Sequence, residues 1–136
     1  MTTSQANNPI GPGYEGVAGS EKRFRDIFRD TLRAEMLRDE DVFLMGEDIS
    51  GGFDEDTKEP LDAWGGPFAA TKGLVQEFGV ERIRDAPISE AGFVGAAVGS
   101  ALTGMRPVVD LMYFDFVTVA FDQLLSNAAK SRYMFG

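Results

Sequence analysis

The sequence contains no histidine and no cysteine, so neither an imidazole acid–base pair, a Ser-His-Asp triad nor a thiol nucleophile can be assembled within it. Proton chemistry has to rest on carboxylates, lysine or tyrosine. Among the carboxylates, Glu90 has the most informative setting. Pro87-Ile88-Ser89-Glu90 breaks an extended segment, offers a serine cap and puts a carboxylate in the first turn of an apolar, glycine-rich helix. A glutamate at a helix start also stabilises the macrodipole by about 0.3–1 kcal/mol, so position alone does not separate catalysis from helix stabilisation. A second acidic pair, Glu47-Asp48, closes the apolar run Val42-Phe43-Leu44-Met45. In an open parallel sheet the carboxyl ends of the strands are where ligands bind; a solvated loop opening is the plainer reading. Asp110 interrupts an apolar strand and needs a partner, for which Arg106 is the nearby candidate. Asp54, Glu55 and Asp56 resemble a calcium loop only superficially, because the glycine and terminal glutamate of that motif are missing at the required spacing.

These residues need a scaffold, and the hydrophobic periodicity supplies one. Ser20 can cap a helix running to about Arg38, with Phe24, Ile27, Phe28, Leu32 and Met36 on one stripe. Val42 to Met45 has the unbroken apolar pattern of a strand covered on both faces. Residues 51–67 are rich in Gly, Asp and Pro and read as a long loop. A helix over Ala70 to Phe78 should stop at Gly79, followed by a strand over Arg82 to Asp85. The helix from Glu90 to about Thr103 ends at Gly104, and Pro107 to Met112 forms the next strand. Val117, Ala120, Phe121, Leu124, Leu125 and Ala128 keep three- and four-residue steps, predicting a final amphipathic helix. The alternation of helix and strand points to an α/β layer with a parallel sheet flanked by helices. Gly92, Gly95, Ala96 and Gly99 give the third helix a smooth face, suited either to close packing inside the domain or to a subunit contact.

Thirteen basic against twenty-two acidic side chains leave a formal charge of -9. That balance repels phosphate backbones and anionic lipid headgroups, so neither nucleic acid nor a membrane is an expected partner. Ala91 to Met105, the longest apolar stretch, is interrupted by glycines and too short to span a bilayer. Residues 1–20 carry no Lys or Arg and read as a flexible lead-in rather than a targeting signal. A cytoplasmic setting is the default expectation.

Beyond these local readings, the order of motifs over Gly46 to Gly136 resembles the beta subunit of the thiamine-diphosphate-dependent dehydrogenase component of 2-oxoacid and acetoin dehydrogenase complexes. The resemblance is carried by Gly46-Glu47-Asp48, by Thr71-Lys72-Gly73-Leu74 with Phe78-Gly79, and by Arg82-Ile83-Arg84-Asp85-Ala86-Pro87-Ile88-Ser89-Glu90. It continues through Gly92-Phe93, Gly95-Ala96-Ala97-Val98-Gly99, Met105-Arg106-Pro107-Val108, Leu111-Met112, Asp115-Phe116 and Asp122-Gln123 to Tyr133-Met134-Phe135-Gly136. The helix from Arg23 to Arg38 resembles the family's opening helix. Asp62-Ala63-Trp64-Gly65-Gly66, Met105-Arg106-Pro107 and Arg132-Tyr133-Met134-Phe135 look closer to acetoin dehydrogenase beta subunits than to pyruvate-type members.

The resemblance implies an α/β pyrimidine-binding domain of the thiamine-diphosphate-binding type. Residues 21–136 would be its N-terminal portion, with the rest of that domain and a carboxyl-terminal domain beyond. It implies that Glu90 hydrogen-bonds N1′ of the cofactor's aminopyrimidine and favours the imino tautomer that takes the proton from thiazolium C2. That role calls for a poorly solvated site that raises the carboxyl's pKa. Phe116 would pack on the pyrimidine, Met112 would line the pocket, and Glu47 and Asp48 would relay protons. The diphosphate and Mg²⁺ would be held by an alpha subunit in an α₂β₂ heterotetramer, so this chain carries no metal ligand of its own. The substrate would be acetoin or a 2-oxoacid, and the acceptor a lipoyl-bearing acyltransferase. The isolated chain would be inactive. The alternative is a non-catalytic interaction or regulatory module, or a split-gene fragment, with the same fold.

Overall fold

A computed structural model describes residues 23–51 and 64–136. Ser20, the lead-in and the Asp54-Glu55-Asp56 segment lie outside the described residues. The chain runs through α1 (Phe24–Arg38), β1 (Val42–Glu47), α2 (Leu74–Phe78), β2 (Ile83–Ala86), α3 (Glu90–Leu102) and β3 (Arg106–Asp110). It continues through a 3₁₀ segment (Phe114–Thr118), a π-helical run (Gln123–Ala129) and α4 (Lys130–Phe135).

The three strands form one parallel sheet in the order β2-β1-β3. The sequence expectation of an α/β fold built on a parallel sheet therefore holds. As the unbroken apolar run predicts, β1 takes the centre, and Leu44 pairs with both Ile83 and Val108. Strand alternation then feeds two cores. Val42, Leu44 and Ile83 pack with Leu32 and Met36 of α1 and with Leu74 and Val75 of α2. On the other face, Met45, Ala86, Val109 and Leu111 meet Phe93 and Val94 of α3, with Ala120 and Leu124 alongside. Helices therefore cover both sides of the sheet.

Arg82 fastens this arrangement at the amino end of the strands, a function no sequence pattern announces. Its guanidinium donates to the carbonyls of Met36 at 3.0 Å, Asp39 at 2.8 Å and Val42 at 2.5 Å. Its planar head lies 5.2 Å from the Phe78 ring centre. One side chain thus satisfies carbonyls at the end of α1, in the following turn and at the start of β1. On the surface, Arg33 makes a bidentate pair with Glu77, both contacts at 2.6 Å, tying α1 to α2. Those hydrogen bonds raise the pKa of Arg33 above its ordinary value.

Several expectations need correction. Only the carboxyl half of the α1 stripe is buried: Leu32 and Met36 are enclosed, but Phe24 is 84% exposed and Ile27 and Phe28 are exposed too. α2 begins at Leu74 rather than Ala70, because Gly73 enters it with φ of +86° and residues before it form turns. Gly79 stops α2 as expected, donating its N–H to the Val75 carbonyl. Ser89 occupies the N-cap position of α3, yet its hydroxyl makes no capping bond. Asp110 does not pair with Arg106. The two stand at opposite ends of a five-residue strand, a separation of roughly 13 Å in extended chain. Arg106 pairs instead with Asp39, and Asp110 accepts the Met112 N–H at 2.7 Å. The expected final helix is divided into 3₁₀, π and α segments. With i→i+5 bonding the 3.6-residue stripe no longer stays on one face, and Phe121 and Leu125 are left exposed.

If Arg82 is the fastener described, Arg82→Ala should lower stability by about 2–4 kcal/mol, as expected when several partly buried carbonyls lose a charged donor. Arg82→Lys should recover only part of that, because an ammonium lacks the planar fork. Denaturant unfolding of the two variants against the parent measures this; an Arg82→Ala change under about 0.5 kcal/mol, the range of ordinary surface substitutions, would refute it.

Candidate functional site

The parallel register fixes where chemistry can gather. Glu47 aligns with Ala86 and Gly46 with Asp110, so all three strands finish on one edge. Leaving that edge, β1 delivers Glu47 and Asp48, β2 delivers Glu90 through the Pro87-Ile88-Ser89 turn, and β3 delivers Met112 and Phe116.

Glu90 is the first residue of α3 and is half-buried. Its carboxylate makes no hydrogen bond or ion pair with another described residue. The helix carrying it is nonetheless firmly seated, with Phe93, Val94 and Ala97 buried against the sheet. A carboxylate on a rigid element, with no protein partner among the described residues, is available to an incoming donor. Glu47 is half-buried at the end of the central strand. Asp48 is exposed and turns the chain with φ of +53°.

Phe116 lies in the 3₁₀ segment and belongs to an aromatic row. Its ring is 5.5 Å from Tyr113, and Tyr113 is 5.2 Å from Phe68, both edge-on. Phe68 and Tyr113 join this row without any signal in the sequence. Neither sits in a periodic stretch, and the turns that bring them together carry no local signal. Met112 takes a different position, on the wall of a cavity of about 610 Å³. Phe24, Phe28, Leu44, Val108 and Phe68 also line this cavity, so the amino end of α1 borders it rather than the core. Neither Glu90 nor Phe116 lines it. Glu90 reaches the edge from the α3 side and Met112 from the α1 side, so a ligand touching both must lie across the end of the sheet. Among the described residues no three acidic side chains gather into a metal site, and no helix is long and apolar enough to cross a membrane.

One glycine shapes the edge, and another the packing of α3. A Cβ on Gly46 would lie 2.8 Å from the Asp110 carbonyl oxygen and 3.1 Å from the Asp110 Cβ, so β1 and β3 close together there only because no side chain intervenes. Gly95 of the smooth face meets the Gln123 side chain, whose Oε1 would be 3.0 Å from a Cβ, while Gly99 has nothing within 4 Å. One part of that face therefore packs within the chain and another is open.

Comparison with known proteins agrees with this architecture. Residues 20–136 match the family model described as transketolase, pyrimidine binding domain. The chain is 50% identical over 111 residues to the acetoin:2,6-dichlorophenolindophenol oxidoreductase subunit beta of Bacillus subtilis, covering 82% of this chain and 32% of the relative. It is also 50% identical over 107 residues to the same-named subunit of Cupriavidus necator, covering 79% and 31%. The pyruvate dehydrogenase E1 component subunit beta of Rhizobium meliloti is 43% identical over 133 residues, covering 97% and 26%. The chain thus spans about a third or less of the length of these curated relatives.

The close approach at Gly46 yields a direct test. Gly46→Ala should force β1 and β3 apart at the candidate site and cost about 1–3 kcal/mol in unfolding free energy, in the range of overpacked cores. A neutral substitution, read from the denaturation midpoint, would mean that the strand ends are not held as described.

Proposed function

Because the chain belongs to the transketolase pyrimidine-binding domain family, we propose that it is the N-terminal portion of a beta subunit in a thiamine-diphosphate-dependent dehydrogenase acting on acetoin or a 2-oxoacid. The observation that carries this reading is the placement of Glu90: a carboxylate fixed at the start of α3, at the ligand-binding edge of a parallel sheet, with no protein partner among the described residues. The relatives, acetoin:2,6-dichlorophenolindophenol oxidoreductase and pyruvate dehydrogenase E1 beta subunits by name, support the reaction class.

When bound, thiamine diphosphate supplies an electron sink for cleaving a bond next to a carbonyl. The residues of this chain fit the pyrimidine end of that group. Glu90 offers one carboxyl oxygen to share a proton with the ring nitrogen N1′. The buried Phe93 and Val94 hold its helix in place, so the carboxylate need not be ordered on binding. Phe116, backed edge-on by Tyr113, provides an aromatic face for a flat heterocycle, and Met112 provides an adaptable apolar contact from the other side of the edge. Glu47 and Asp48 stand at the same edge as carriers that can pass a proton between the site and solvent. Cover from a second polypeptide would complete the enclosure of Glu90, which is half-buried in this chain. In this reading an alpha subunit supplies that cover together with the diphosphate and Mg²⁺ contacts, and a lipoyl-bearing acyltransferase takes the product. Fifty per cent identity to two acetoin-oxidising subunits, against 43% to the pyruvate-type relative, favours acetoin as substrate.

Glu90→Gln tests the assignment. The amide keeps shape and a hydrogen-bonding oxygen but cannot share the proton. In an assembly reconstituted with a homologous alpha subunit, thiamine diphosphate and Mg²⁺, turnover of acetoin should fall by about 10²–10⁴-fold, the range for loss of an acid–base group, with the unfolding midpoint unchanged. Turnover within a few-fold of the parent would remove Glu90 from the role. Assayed side by side with pyruvate, acetoin should give the higher kcat/KM; the reverse order would reassign the substrate.

A further inference from the structure

The segment between β3 and the aromatic row is strained. Tyr113 N–H donates to the Leu111 carbonyl at 2.7 Å, an i→i+2 bond, and Met112 between them has φ of +62°. A γ-turn around a residue with positive φ is the rare, strained form. Glycine would adopt that backbone freely. A methionine held there is a local cost, sustained only where surrounding structure over-determines it and the side chain is needed at that spot.

The structure shows what holds it. Asp110 Oδ1 accepts the Met112 N–H at 2.7 Å, tying the strained residue to the last residue of β3. Asp110 in turn has little freedom, since it pairs in register with Gly46 across a gap too narrow for a Cβ. Beyond the turn, Tyr113 leads directly into the row with Phe68 and Phe116. The aspartate that ends β3 thus has a definite task, through the backbone of residue 112.

We propose that Asp110 is a positioning residue for the ligand at this edge. Its carboxylate fixes the left-handed turn at Met112, and so sets both the methionine contact and the direction in which the chain enters Phe116. The proposal rests on reading this edge as the thiamine diphosphate site, and it assigns Asp110 no proton transfer.

The test uses the assembled protein with thiamine diphosphate and Mg²⁺ as the probe. Two quantities are read: the dissociation constant for the cofactor by calorimetry, and the Met112 methyl resonance in the cofactor-free assembly, from ¹³C-methyl labelling of the six methionines. Asp110→Ala should weaken cofactor binding about tenfold, the effect of one lost charged hydrogen bond, and should shift the Met112 methyl. Asp110→Asn keeps an acceptor oxygen and should restore most of the affinity and the original resonance. In a Met112→Gly background, adding Asp110→Ala should have little further effect on affinity, because the turn no longer needs holding. An unmoved Met112 resonance in Asp110→Ala overturns the proposal, as does unchanged cofactor affinity or an Asp110→Asn as damaged as the alanine variant. If Asp110→Ala does not assemble, Asp110→Val, which keeps a strand-forming side chain but no acceptor, is read in its place, and an unmoved Met112 resonance or unchanged cofactor affinity in it overturns the proposal. Failure of the broader reading is recorded separately, by Glu90→Gln retaining turnover while these shifts persist.

Discussion

The position of every candidate residue follows from how the central strand is paired. Leu44 meets Ile83 on one side and Val108 on the other, both in parallel, so three separate chain exits end on one edge. Parallel pairing demands crossovers, and the crossovers are the helices that bury both faces. Burial of β1 on both sides is therefore a condition of the site's geometry, as well as of stability: without it the acidic pair after β1, the carboxylate after β2 and the aromatic turn after β3 would not leave the sheet at one edge. Arg82 secures the opposite end of the same strands, leaving the carboxyl edge open to ligand chemistry.

That edge is built by close backbone approach and by polar tethers. Gly46 lets β3 come near enough for the Asp110 backbone to lie against β1. The Asp110 carboxylate then reaches two residues on to Met112. The resulting turn passes its orientation to Tyr113 and Phe116. Glu90, by contrast, is positioned through apolar seating of its helix, and its carboxylate makes no bond with another described residue. Rigid placement of one group by packing and of another by a hydrogen-bonded turn is the preorganisation a cofactor site requires.

Much of this was readable from residue order. The apolar run from Val42 to Met45, the glycine stops at Gly79 and Gly104, and the Pro87 break before Glu90 each have a local physical cause, and each stands where expected. What escaped the sequence depends on contacts distant in the chain. No spacing rule couples Arg82 to the carbonyls of Met36 and Asp39, or Arg106 to Asp39. The need of Asp110 for a partner was legible, but the partner was a backbone N–H, which carries no residue signature. The last segment failed for another reason: a 3.6-residue stripe predicts a helix, and Gln123–Ala129 winds with a longer repeat instead. The amino half of α1 reads as core-facing, yet its aromatic residues border a cavity.

One proton shared between Glu90 and a ring nitrogen underlies the proposed chemistry, and an experimental structure of the assembled protein with thiamine diphosphate bound will show whether it is there. In that structure a Glu90 carboxyl oxygen should lie within about 2.6–3.2 Å of N1′, the reach of a proton-sharing pair, with the pyrimidine lying across the end of the sheet between α3 and the Phe116 segment. A pyrimidine whose N1′ is bonded to another group, with the Glu90 side chain turned to solvent, would contradict it.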